Sequence, residues 1–251
     1  MGIANYIKAI GRGSEGARAI SREEAADLWG QLLDGAVTDL EVGAFCLAMR
    51  IKGETPQEMA GFLDATHQRI HRVGAGAAPI VVIPSYNGAR KLPVLTPLLA
   101  LLLARESLGV LVHGTPTESG RVLASDVLLA LGKPAQSAIT EIASGDVAFV
   151  PTAVLHPGLQ RLLDVRRTVG VRNSAHSLVK LMNPVQGTSL LVTSYTHPEY
   201  AVSMAETLAL TQTTALLLRG TEGEAVADPR RTPRMQAVCG GQITEVQEAQ
   251  V

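Results

Sequence analysis

Over the first seventy positions, apolar residues recur at helical intervals. Ala25, Leu28, Trp29 and Leu32 share one face of a 3.6-residue period. Ser21 stands three places before Glu24, so the two side chains can satisfy each other's free backbone donors in a capping box. The pattern predicts a helix that starts there and ends at Gly35. A second helix, from about Asp39 to Ile51, places Leu40, Ala44, Leu47 and Ala48 on one face and stops near Gly53. Thr55-Pro56-Gln57-Glu58 joins a cap, a proline at the first helical position and a box-closing glutamate, and starts a third. Together they predict a small helical domain over residues 1–74. Three short helices cannot bury all their apolar residues against one another, so this domain is expected to form a homodimer, with Trp29 in its core or at that contact.

The pattern changes across 73–79, a Gly/Ala/Pro stretch that reads as a crossover. Ile80-Val81-Val82-Ile83 is a β-branched run bounded by prolines, hence a buried strand. Further strands are predicted at 110–112, 148–150, 189–193 and 215–218, with helices over 97–107, 121–131, 158–165, 175–182 and 198–210. Such alternation predicts a mostly parallel sheet. The expected fold class is therefore α/β: a small amino-terminal helical domain and a larger α/β domain over 75–251. From Gly240 onward the sequence is polar without a clear apolar period, and a frayed tail is expected.

Composition supports that class. Apolar residues make up 46% of the chain and aromatics only 3%, so the core must be aliphatic, as in strands sandwiched between helices. The formal charge of -1 gives no global pull toward nucleic acid or membrane, and either partner would need charge segregated in space. The longest apolar stretch, 94–104, contains Pro97 and is well short of the roughly 20 residues that span a bilayer. With no signal-peptide pattern at the start, a cytoplasmic protein with no membrane partner is expected. Cys46 and Cys239 match no metal spacing and read as reduced thiols.

The charges are locally uneven. Between 147 and 198 the five basic residues Arg161, Arg166, Arg167, Arg172 and Lys180 face one acid, Asp164, a surplus of four. Two readings stay open. One is a phosphate-binding stripe, extended by Lys8, Arg12 and Arg18. The other is a solvated helix face with ordinary ion pairs. Arg50 and Lys52 read as helix-end charges. His113, His156, His176 and His197 adjoin turns or strand ends, which favours structural hydrogen bonds, and no serine or cysteine pairs with them by spacing. Tyr86 is the one aromatic beside basic residues, Arg90 and Lys91.

Several segments in order resemble anthranilate phosphoribosyltransferases of glycosyltransferase family 3. Ile20 to Ala25, Asp34 to Asp39 and Ala48 to Thr55 are similar to that family's helical domain. Val112-His113-Gly114 followed by Ser125 to Gly132, then His156-Pro157, Gly170-Val171-Arg172, Asn183-Pro184 and His197-Pro198-Glu199, extend the likeness over nearly the whole chain. The resemblance implies the phosphoribosyltransferase, nucleoside phosphorylase class II-like architecture.

The catalytic parts depart from that family. Its glycine-rich diphosphate loop is here Pro84-Ser85-Tyr86-Asn87-Gly88, in which proline lacks a donor and tyrosine adds bulk. Its magnesium-holding Asp-Glu pair falls on Ala225 and Val226, neither of which can ligate a hard cation. The lysine before His113 is Val112, and an Asn-Arg after Gly114 is Thr115-Pro116. No cofactor or metal is expected on this reading; the open variant has Glu222, Glu224 and Asp228 holding a metal in a shifted loop. What remains is a vestigial phosphate or substrate cleft at Ser85, Asn87, Gly88, Arg90, Lys91, His113, Gly114 and Arg172. The resemblance puts Arg172 where the enzymes clamp the anthranilate carboxylate, a task a guanidinium performs as readily on phosphate.

Ile83 to Lys91, Gly170 to His176 and Gly220 to Glu224 are closer still to the YbiB-like branch of this fold. That likeness implies sequence-independent nucleic-acid binding by a homodimer. It also implies a longer carboxy terminus than this chain has, with closing elements missing. The alternative is a phosphoribosyltransferase with an altered acceptor, which would need magnesium. A third is an assembly or regulatory protein using the cleft for another small anion.

Overall fold

The computed structural model describes residues 2–13, 15–76, 78–116, 120–228 and 230–250. Its helical part comprises α1 (Ala4–Ile10), α2 (Arg22–Asp34), α3 (Asp39–Lys52) and α4 (Pro56–His67). Capping boxes start α2, α3 and α4, at Ser21, Thr38 and Thr55. Trp29 fills the centre, stacked on Phe62 at 4.7 Å with Phe45 at 5.9 Å, and its Nε1 donates to Thr66 Oγ1 at 2.9 Å. It is thus a core residue. α2 and α4 cross so closely that a methyl group on Gly61 would lie 2.2 Å from the Arg22 carbonyl oxygen.

Three expectations for this part need correction. α1 was not foreseen: seven residues are too few for a period to stand out, although Ile3 and Ile10 are buried. α3 buries Val42, Phe45, Cys46 and Met49, whereas Leu40 and Leu47 of the predicted inner face are 84% and 47% exposed. This helix is apolar on two sides, and the chosen stripe was the outer one. Lys52 is no simple helix-end charge, since its Nζ lies 2.6 Å from Glu58 Oε2 and both side chains are buried. Glu58 also accepts from the Ile20 and Thr55 amides, which satisfies the rest of the carboxylate.

Beyond this part follow β1 (Val73–Gly74), β2 (Ile80–Pro84), α5 (Thr96–Arg105), β3 (Gly109–Gly114), α6 (Ala124–Ala130), β4 (Val147–Pro151) and α7 (Thr152–Leu155). Next come α8 (Pro157–Val169), α9 (Ser174–Leu181), β5 (Val185–Gln186), β6 (Ser189–Tyr195), α10 (Glu199–Leu210), β7 (Ala215–Arg219), β8 (Met235–Cys239) and β9 (Gln242–Gln247). The predicted crossover at 73–79 contains β1, which pairs in parallel with β5; residue 77 within it lies outside the described residues.

The main sheet runs β4-β3-β2-β6-β7-β8-β9, parallel from β4 through β7 and antiparallel at β8 and β9. Strand periodicity divides its side chains. Val82, Leu111, Val150, Leu191 and Leu217 join the core that continues into the helical part, while Val81, Ile83, Val112, Val192 and Leu218 pack with α5 and α6 residues such as Ala100 and Leu128. The expected frayed tail is instead a hairpin. Gly240 and Gly241, with φ of 55° and 77°, supply the left-handed pair that a two-residue hairpin turn requires. Residue 251 lies outside the described residues.

Removing one partner of a buried ion pair strands the other charge, at a cost of about 3–5 kcal/mol. Lys52→Ala should therefore lower the unfolding free energy obtained from urea titration by that amount, and Lys52→Met, which keeps the packed stem, by less. A loss under about 0.5 kcal/mol for Lys52→Ala would show the pair to be energetically idle.

Candidate functional site

In an open parallel sheet, the crevice for a ligand lies beyond the carboxyl ends of the strands where the strand order reverses. Here that point lies between β2 and β6, since the chain crosses from β2 to β3 and β4 on one side and returns to β6 on the other. Pro84 ends β2. The next amide, Ser85, bonds the His113 carbonyl at 2.8 Å, and a methyl on Gly114 would lie 1.9 Å from the Ser85 oxygen. The Tyr86 ring turns into the core, its hydroxyl 2.8 Å from His113 Nδ1 and 3.0 Å from Thr152 Oγ1. With Tyr86 turned away, Gly88 at φ 63° swings the chain so that the Asn87 and Gly88 amides face the crevice.

The opposite wall is the segment after β7. Thr221 and Glu224 exchange backbone hydrogen bonds of 3.2 and 2.9 Å across a two-residue turn, with Glu222 at φ 51° and Gly223 at φ 92°. A left-handed non-glycine residue costs roughly 1–2 kcal/mol, so the surroundings must hold Glu222 there. A side chain on Gly223 would collide with Asn87 Nδ2, only 1.6 Å from an added Cβ. This turn fills the crevice.

Glu224, 1% exposed, is its anchor. Oε1 accepts from the Asn87 amide at 2.9 Å and the Gly88 amide at 2.8 Å, and Oε2 from Ser85 Oγ at 2.5 Å and Thr96 Oγ1 at 2.9 Å. Glu222 does the same farther out, accepting from the amides of Arg90, Lys91 and Leu92 at 2.8–3.3 Å. Those amides hold its carboxyl below the ordinary carboxylate value. Lys180 Nζ donates to the Gly223 carbonyl at 3.1 Å; burial pushes this ammonium down to about 8, opposed by the Glu224 charge and reinforced by Arg172. Burial drives His113 to about 3, so it is neutral at physiological pH.

The expected cleft residues Ser85, Asn87, Gly88, His113, Gly114, Arg90 and Lys91 are thus drawn together, though in unforeseen roles. The loop keeps its anion-binding amides despite Pro84 and Tyr86, and Arg90 and Lys91 contribute backbone N–H groups. Tyr86 is buried and cannot stack on a base. The basic stretch is divided. Lys180 points into the cleft, not along an outer face. Arg161 donates to the Leu32 carbonyl at 3.0 Å and covers the end of α2. Arg167 is exposed near the end of α8, 3.3 Å from Asp164; Arg166 is half-buried in the same turn, and Arg172 lies near enough to Lys180 for its charge to lower that ammonium. Lys8 and Arg12, on or next to α1, are exposed, as is Arg18. Thr96, Glu222 and Glu224 were missed as cradle members; Gly220 before the turn and Gly223 within it were the available signal.

Magnesium does not fit the carboxylates present. Among the described residues the partners of the Glu222 and Glu224 carboxylates are hydrogen-bond donors, Asp228 is held by the Arg230 amide and guanidinium, and Ala225 and Val226 are buried apolar side chains. Among the described residues no three His, Cys, Asp or Glu side chains converge to hold a metal ion.

Residues 4–69 match the helical bundle domain of a glycosyl transferase family. The chain is 40% identical over 248 residues to the uncharacterized protein YbiB of Escherichia coli, covering 95% of this chain and 77% of that one. It is 35% identical over 192 residues to an anthranilate phosphoribosyltransferase of Methanosarcina acetivorans, covering 73% of this chain and half of the enzyme. Among solved structures, the anthranilate phosphoribosyltransferase of Thermus thermophilus superposes with a TM-score of 0.74 at 24% identity, over 95% of this chain and 72% of that one. The Saccharomyces cerevisiae enzyme, in complex with PRPP and Mg, gives 0.71 at 16% identity, over 98% and 72%. These likenesses confirm the expected scaffold, and no helix among the described residues is long and apolar enough to cross a membrane.

Because the Glu222 carboxyl is lowered in the folded protein, its contribution to holding the turn is present above the ordinary carboxylate value of 4.5 and is lost as pH falls through the depressed value. Amide resonances of Arg90, Lys91 and Leu92 should report one titration with a midpoint below 4.5. A midpoint at or above that value would mean that the carboxylate is not docked on these amides.

Proposed function

The chain belongs to the anthranilate phosphoribosyltransferase-like family, glycosyltransferase family 3, and from that scaffold we propose that it acts as a homodimeric, sequence-independent nucleic-acid-binding protein. The observation that carries this reading is the turn at 221–224, whose carboxylates satisfy the donors of the loop on which the family's enzymes hold diphosphate. Transfer of a phosphoribosyl group depends on positioning and electrostatic stabilisation of a charged substrate. With the cradle filled and no metal-ligand cluster among the described residues, this chain provides neither in the conformation described.

Support for a polyanionic partner comes from the outer surface. Arg166 and Arg167 sit together in the last turn of α8, and Lys8, Arg12, Arg18 and Arg50 are exposed on or beside the helical part. Contacts to backbone phosphates release counterions regardless of distant acids, so a neutral chain can still bind through local clusters. A dimer would double those clusters. The face for it is α3, where Leu40, Leu47 and Ile51 are 84%, 47% and 71% exposed, and α1 with its lysine packs on that same helix.

A second reading, a phosphoribosyltransferase with an altered acceptor, is favoured by the names of the relatives and by the resemblance that puts Arg172 where the enzymes clamp the anthranilate carboxylate. It needs the turn to leave the cradle and a metal to enter. Calorimetry with phosphoribosyl pyrophosphate and magnesium separates the two: magnesium-dependent binding in the micromolar range would replace the first reading with the second.

Gel-shift titrations with single- and double-stranded DNA at several salt concentrations should show binding that weakens steeply with salt. Arg166→Ala with Arg167→Ala should lower the salt slope by roughly one per lost contact, for every sequence, while leaving the fold intact. Salt-independent binding, or none at low salt, would end the electrostatic account. Light scattering should give twice the chain mass for the parent and the single-chain mass for Leu47→Glu; a monomeric parent would remove the shared surface.

A further inference from the structure

The donors around Glu224 form a complete anion site by themselves. Two adjacent backbone amides, Asn87 and Gly88, converge on one oxygen, and two hydroxyls, Ser85 and Thr96, converge on the other. Lys180 stands behind them, feeling the Glu224 charge while its hydrogen bond goes to the turn's own backbone at Gly223. All four donor residues are buried, so the site is built into the fold. Its occupant is different in kind. It arrives on a two-residue turn, not on a strand or helix, and Glu222, two positions before it, is held in the left-handed region. Besides its backbone bonds between Thr221 and Glu224, the turn is held by the contacts its two carboxylates make.

We infer that the 221–224 turn is an autoinhibitory contact: Glu224 is an internal anion that occupies a still-competent cradle for phosphate-class ligands and must be displaced before one can bind. Tethering raises the local concentration of the internal carboxylate far above that of a dissolved ligand. A doubly or triply charged phosphate or diphosphate gains more than a single carboxylate from the same amides and from Lys180 and Arg172. The inference does not depend on nucleic-acid binding, which is read separately on the parent protein by its salt dependence.

The test is chemical rescue. Glu224→Ala leaves four buried donors and Lys180 without their anion and should lower the thermal midpoint of the full chain. Inorganic pyrophosphate should restore the midpoint and bind this variant at least tenfold more tightly than the parent, whereas sodium chloride at matched ionic strength should not. Lys180→Met in the Glu224→Ala background should remove most of that gain. Glu224→Gln keeps the volume but places an amide group against donors, and should also bind pyrophosphate more tightly than the parent; it supplies the reading if the alanine variant does not fold. Comparing 5′-phosphorylated with 5′-hydroxyl oligonucleotides on the same variant tells a polymer end from free diphosphate as the source of the group. The idea is overturned if a folded Glu224 variant gains no pyrophosphate binding over the parent, or if parent and variants bind it equally.

Discussion

A single buried carboxylate, held by two amides and two hydroxyls, organises the functional end of this protein. An ionised group out of water is tolerated only when its lone pairs are satisfied and opposite charge is near. Glu224 meets both conditions, with four donors on its oxygens and Lys180 behind it. The neighbouring backbone is arranged around that contact. Gly223 lacks a side chain because Asn87 occupies its place, Gly220 lies against the Glu224 carbonyl, and Gly114 lies against Ser85. The strain of a left-handed Glu222 is repaid by the hydrogen bonds of its own carboxylate to the next stretch of the loop.

The same physics explains how the family's scaffold can carry an internal ligand in its loop. A loop that presents bare amides at the end of a parallel strand attracts any anion. In this chain the anion is part of the protein, and Glu224 closes the loop by accepting from its amides and hydroxyls. His113 is locked into Tyr86 and held neutral by burial. Exposed positive charge, as at Lys8 and Arg167, lies on the outer helices.

Much of the fold was legible in the sequence because its signals are local. The Ser21 and Thr55 capping boxes, the β-branched run at Ile80 and the alternation of strand and helix all translate directly into observed elements. Features that depend on distant partners were not legible. Lys52 resembles any helix-end charge until Glu58 is seen packed against it, and α3 shows two apolar faces of which sequence alone cannot say which is inner. At the site, Ser85, Asn87 and Gly88 lie together around one carboxylate, which belongs to a residue more than 130 positions away in the chain. Glu222 and Glu224 were weighed as metal ligands, since a carboxylate's chemistry does not reveal whether it will meet a cation or a backbone amide.

Native-state hydrogen exchange at the Asn87 and Gly88 amides tests the closed cradle most directly. With both donors bonded to a buried Glu224, their protection should approach that of the β2 amides, and it should fall selectively when Glu224 is replaced in a variant that still folds. Exchange at the rate of an open loop in the parent protein, unaffected by that replacement, would contradict the account.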